Sequence, residues 1–176
     1  MPDKPPLAPN AIHLVRTATQ TNLALSQMAD QKASILMGAT FVVFTIAIGQ
    51  ASRGQFTLSL LVLAASAFVA AMCAVMAILP SIGRHSASAT TPNLLFFGVF
   101  TQLSEDDFAD RVLAELGEDE RIYRTMLRDI HQNGMVLQHK KYRFLGLAYR
   151  VFLGGLTLTF VIFLAEHRDL LAGLRF

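Results

Sequence analysis

The amino-acid sequence predicts an all-α integral membrane protein with three transmembrane helices and a cytoplasmic helical segment between the second and third. Three observations predict it. Residues 33–49, 56–79 and 151–165 are apolar runs without a single charge. The 176-residue chain is 53% hydrophobic and only 16% charged, too oily for an ordinary soluble domain of this size. Eight of its basic residues lie between the second and third runs, from Arg84 to Arg143.

About 20 apolar residues in a helix cross the hydrocarbon core. The 24 uncharged residues 56–79 meet that length unaided and end at Pro80. The first run gains length from Gln50, Ala51 and Ser52. The third reaches spanning length when residues 144–149 join it and Arg150 snorkels to the interface. The expected organisation is therefore an N-terminal linker and helix over residues 1–32, a transmembrane hairpin over 33–79 with spans of about 33–50 and 56–79, a helical region over 80–143, a third span over 144–166 and a tail over 167–176.

Basic loops stay on the cytoplasmic side. Lys4, Arg16 and Lys32 precede the first span, the link to the second holds Arg53 alone, and the long segment is rich in Arg and Lys. This places the N-terminus and residues 80–143 in the cytoplasm, and the first link and the C-terminal tail outside. The tail is nearly neutral and constrains the orientation no further. No secretory signal peptide is visible, because the first apolar run starts only at Ala33, so that span is expected to remain as an anchor. Cys73 is the one cysteine and lies mid-span, which excludes a disulfide framework. The net charge of +2 does not argue for nucleic acid as a partner.

The elements follow in order. Four prolines before Asn10 give an extended start, and Asn10 is a plausible N-cap. No Gly or Pro interrupts the chain from there to Gly38, so one helix should run straight into the first span and pack on a second cytoplasmic helix or another subunit. After Pro80, residues 81–92 carry loop residues. Residues 93–100 are a short apolar stretch, either a buried connector or a segment on the membrane surface. Ser104 before Glu105, Asp106 and Asp107 has the form of an N-cap with dipole-complementing acids, and Gly117 is a natural stop, so 105–116 is a helix. Residues 118–120 open another, continuing through Lys140, Lys141 and Arg143 toward the third span, with Gly134 marking a possible bend.

No phosphate loop, nucleophile elbow or His-Glu-x-x-His pair is present, and no catalytic residue is assigned. His13, His85, His131, His139 and His167 are too dispersed for a metal site. The acids at 105–107 and Asp110 read as a solvated helix start. Arg121, Arg124, Arg128, His131 and His139 share broadly one helix face, where they could hold a phosphate or meet an anionic leaflet. Ser66, Ala70 and Ala74 form a small-residue face in the second span, with Gly155 as a smaller counterpart in the third. That face packs the spans of one subunit or joins several subunits, and any pore requires a homo-oligomer.

The run from Asn22 through Ser26, Asp30 and Lys32 to Gly38 on the approach to the first span resembles the signature of the Pycsar membrane effector family. Asn93-Leu94-Leu95-Phe96-Phe97-Gly98 and Lys140-Lys141-Tyr142-Arg143 with Ala148-Tyr149 extend the likeness over roughly residues 21–163. The resemblance implies a non-enzymatic effector of bacterial antiphage defence in the inner membrane. A partner pyrimidine cyclase would make a cyclic pyrimidine mononucleotide, cCMP or cUMP, and the effector would respond by impairing the membrane, with no other cofactor. Residues 80–143 would then act in sensing or assembly, with Arg124, Arg128, Lys140 and Lys141 as candidate phosphate contacts. Asn22, Ser26, Asp30 and Lys32 either satisfy one another at the membrane boundary or contact ligand. A membrane adaptor that docks a cytoplasmic partner is the alternative, and a hydrolase built on the acidic cluster is the weakest reading.

Overall fold

A computed structural model describes residues 8–55, 57–80 and 93–168. Among them every regular element is helical: α1 (Ala11–Ser52), α2 (Leu58–Ile78), the single turn α3 (Phe97–Phe100), α4 (Glu105–Glu115), α5 (Asp119–Val136), a π-helical segment (Leu137–Tyr142) and α6 (Arg143–Glu166). The loop expected over 81–92 lies outside the described residues. The chain divides into two compact units, Met28–Leu79 with His139–Phe176, and Met1–Gln27 with Pro80–Gln138.

The first unit holds the apolar helices. With 21 residues, α2 is about 31 Å long, the thickness of a hydrocarbon core. Three helical stretches are long and apolar enough to cross a membrane, Ala11–Ser52, Leu58–Ile78 and Asp119–Glu166. Inward-facing residues recur at alternating steps of three and four: Ala29, Ala33, Leu36 and Thr40 on α1, and Ala67, Ala70, Ala74 and Ala77 on α2. That 3.5-residue period is the seam of left-handed helix packing, and the small side chains let backbones approach closely. Leu36, Ala74 and Ala148 form one layer from three helices, flanked by Met37, Cys73 and Phe152. Phe41, Ile46, Phe68, Val69, Leu158, Phe160 and Val161 point outward and exposed. So large an apolar surface belongs in lipid.

The ends of these helices are closed locally. α1 stops where Gly54 takes φ +84°. The Gln55 amide donates to Gln50 O at 3.3 Å and the Gly54 amide to Ala51 O at 3.1 Å, the paired bonds of a Schellman termination. Thr57 caps α2 through its hydroxyl, which accepts from the Leu60 amide. The buried Thr40 hydroxyl donates back to Leu36 O at 2.9 Å, so it carries no unmet hydrogen bond into the seam.

The second unit is polar and thinly cored. Val15 of α1, Leu94, Val99, Thr125 and Leu137 are buried, and the rings of Phe100 and Phe108 meet tilted at 40°, centroids 5.3 Å apart. Within residues 93–100, Asn93, Leu94, Gly98 and Val99 are buried and Leu95 and Phe97 are half-exposed. α4 starts at Ser104, whose hydroxyl accepts from the Asp107 amide at 3.1 Å. Helical structure is unbroken through Gly134, and the irregularity expected there falls instead at the π-helical segment three residues later. Hydrogen bonding to the fifth residue widens the turn at that point, where a glycine would have weakened an ordinary helix without re-aiming its neighbours.

Candidate functional site

The π-helical segment presents consecutive lysines. Lys141 Nζ donates to both carboxylate oxygens of Asp30, at 2.8 and 2.7 Å. Their side chains are 20% and 40% exposed, so the pair is partly screened from water. Lys140 Nζ donates to the carbonyl of Leu79, the C-cap of α2. Such bonds suit the end of a helix, where carbonyls lack intrahelical partners and the dipole is negative. Lysines 140 and 141 thus hold α1 and α2 at the start of α6.

The other two candidate phosphate contacts lie on α5 in the polar unit. Arg124 binds Glu120 through Nε and Nη2, at 2.8 and 2.6 Å, one turn away in solvent. Arg121 is similarly engaged by Glu118 at 3.3 Å. Arg128 is half-buried, and no carboxylate pairs with it among the described residues. The four candidates therefore divide between the units, Arg124 and Arg128 in one, Lys140 and Lys141 in the other.

The residues of the membrane-boundary signature separate by role. Asn22 Nδ2 donates to the carbonyl of Ile130 on α5 at 3.0 Å, a single tie from the N-terminal part of α1 to α5. Asp30 holds Lys141, while Lys32 is exposed. Ser26 is half-buried. Gly38 is exposed with open space where a Cβ would stand, so no close approach within the chain requires glycine there. In the spans, Ala70 and Ala74 are buried, and Gly155 meets Ser66 so closely that a Cβ at 155 would overlap the serine side chain. Gly155 and Ser66 thus stand where α2 and α6 meet.

Three contacts carry no obvious sequence signal. The buried Asn93, only 3% exposed, donates to Asp129 at 2.9 Å and caps its own turn by accepting from the Leu95 amide. Thr125 donates to Glu115, joining α4 and α5. Glu166 accepts from the Leu58 amide at 3.0 Å and from the Ser59 hydroxyl at 2.7 Å. An acid at the end of one span satisfies the free amides that begin another, where the helix dipole favours negative charge.

Two recesses open on the apolar unit. One of about 330 Å³ lies between α1 and α2 among Phe44, Ile48, Leu60 and Phe68. The other, about 730 Å³, is lined by Gln50, Gln55, Ser59, Leu63, Thr159 and His167. Neither presents a cation for a phosphate. Among the described residues no group of three or more His, Cys, Asp or Glu is gathered as a metal ion would need. The acids that begin α4 are exposed, and Asp107 is bound to Ser104.

Packed apolar helices with outward aromatics and a polar helical unit define a multi-pass helical membrane protein. No curated protein and no solved structure matches the chain. A family model does: the Pycsar effector protein domain matches residues 13–166, nearly the whole described chain. The chain belongs to the Pycsar effector family, whose transmembrane members are antiphage defence effectors working with a cyclase and are not a known enzyme family.

Proposed function

We propose that this protein is the membrane-acting arm of its defence system: it responds to cCMP or cUMP by impairing inner-membrane integrity, as a homo-oligomer, with its N-terminus and residues 80–143 in the cytoplasm. The observation that carries the proposal is helix continuity within a family-matched chain. α1 runs 42 residues from polar into apolar sequence, and residues 119–166 are helical throughout. Each of these runs thus leads from polar into apolar sequence without leaving the helix.

The chemistry available for the nucleotide phosphate is Arg128, Arg124, Lys140 and Lys141. Arg128 has no competing carboxylate among the described residues, whereas phosphate must displace Glu120 from Arg124 and Asp30 from Lys141. Exchanging the Asp30–Lys141 pair for a phosphate–Lys141 pair would release α1 from the start of α6. Driving such a switch from 1:99 to 99:1 requires roughly 10⁴-fold tighter binding to the released state.

The test is dye and ion leakage from liposomes carrying the purified protein, titrated with cCMP, cUMP, cAMP and cGMP. Leakage with one pyrimidine nucleotide alone is the expected result. Silence with all four, from correctly inserted protein, refutes direct gating and favours the adaptor reading. The exposed Leu14, Leu23, Leu113, Leu116 and Leu127 of the polar unit provide the apolar surface for that second reading.

A further inference from the structure

α6 carries an exposed arginine within its apolar stretch. Arg150 is seven residues beyond Arg143, about 10 Å along the helix, and the two lie within roughly 20° on one face. Both are exposed, on the side of α6 opposite the buried Leu145, Ala148 and Gly155. Ala148 shares a layer with Leu36 and Ala74, and Ala74 is five residues, about 7.5 Å, inside the end of α2 at Leu79. Arg150 therefore stands on the lipid face below the membrane surface, where a charge is rare and demands a counter-ion.

The described residues offer it none. No Asp or Glu occurs in residues 31–52, in α2 or in α6 before Glu166. Asp30 is held by Lys141, and Glu166 is spent on the start of α2. A second copy packed on this face would bring no carboxylate to that depth either, since its spans are equally free of acids. Side chains on a helix point back toward its N-terminus, which for Arg150 is toward Arg143 and the membrane surface. Tyr142 and Tyr149, again seven apart and part-exposed, flank the arginines with the amphipathic rings that favour the headgroup level.

We propose that Arg143 and Arg150 form a binding site for the headgroup phosphate of an anionic phospholipid in the leaflet at that end of α6. Arg143, nearer the surface, meets the phosphate directly and the deeper Arg150 snorkels up to it, so the bound lipid fixes the depth of α6. This inference goes beyond the nucleotide response and does not depend on it.

Native mass spectrometry of the full chain in neutral detergent, offered equal phosphatidylglycerol and phosphatidylcholine without nucleotide, tests it. Wild-type protein is expected to retain phosphatidylglycerol preferentially, by about fivefold for each arginine. Arg150→Leu should lose its share of that preference while inserting at least as well, since it removes a charge from a span. Arg150→Lys should keep most of it, and Arg121→Gln, in the polar unit, should change nothing. Equal retention by wild type and Arg150→Leu overturns the site. So does full competition by excess inorganic phosphate, which would assign it to a free anion, or efficient disulfide cross-linking between Leu147→Cys copies in membranes, which would assign the face to a second subunit.

Discussion

Replacing Gly155 with alanine probes a close approach of α2 and α6. A Cβ built there overlaps the Cβ and Oγ of Ser66, while Ser66 Cα stands at 3.6 Å, an ordinary contact. The serine Cβ is fixed to its backbone, so no rotamer change relieves the overlap and α2 and α6 must part. Overpacking of this kind costs about 1–3 kcal/mol. The upper end applies here, because separation also loosens the neighbouring alanines at 67, 70 and 74. Alanine's better helix propensity returns at most about 1 kcal/mol, leaving a net loss near 2 kcal/mol. Ser66→Gly in the same chain removes the overlapping atoms and should restore stability to within about 1 kcal/mol of wild type, with an interaction energy above about 1 kcal/mol between the two sites. Reversible SDS unfolding of the full chain in mixed micelles, followed by helicity, measures all four members of the cycle. A Gly155→Ala protein as stable as wild type, or a strictly additive double variant, would refute the close packing of α2 on α6.

Gly54→Ala should cost about 1–2 kcal/mol in the same assay, because the Schellman turn needs a left-handed φ, whereas Gly49→Ala, with open space around it, should cost nothing. Glu166→Ala and Thr57→Ala should each lose about 1 kcal/mol, the worth of an N-cap, and speed hydrogen exchange at the amides of residues 58–60. For Asp30→Asn and Lys141→Met, a double-mutant cycle should give a coupling of about 1–2 kcal/mol, between exposed and buried pairs. A coupling of zero would mean that the lysine is held by something other than the aspartate.

The helices were legible because their signals are local. Uninterrupted apolar runs mark the spans, Ser104 and the acids after it mark the start of α4, and the absence of Gly and Pro between Asn10 and Gly38 marks a single helix. The ties between elements were not legible, because a hydrogen bond such as Asn22 to the carbonyl of Ile130 joins residues 108 apart and its acceptor exists at every position of every helix. The π-helical segment is hidden for a related reason. Leu137–Tyr142 contains no Gly or Pro, and its widened turn coincides with Lys140 reaching Leu79 and Lys141 reaching Asp30.

The two units rest on different physics, and the difference bears on which of them a ligand can move. The apolar unit is held by close packing of Ala, Gly and Ser along a seam, where displacement loses many contacts at once. In the polar unit the ties that replace a thick core are single hydrogen bonds: Asn22 to Ile130, Asn93 to Asp129, Thr125 to Glu115. The first is worth about 1 kcal/mol net and the two to carboxylates about 1.5–3, and each can break singly. Hydrogen bonds of that strength can be exchanged one for another by a ligand that brings its own donors and acceptors, at little net cost. A ligand shifts an equilibrium only by its differential affinity for the two states, so a few kcal/mol suffices where the resting contacts are of that size and would not part a packed seam. A nucleotide acting on this protein is therefore expected to rearrange the ties of the polar unit first, with the spans responding only afterwards. Hydrogen exchange in liposomes with and without cCMP or cUMP should then change first at the amides around Asn93 and Ile130, with the amides of residues 67–77 unaltered.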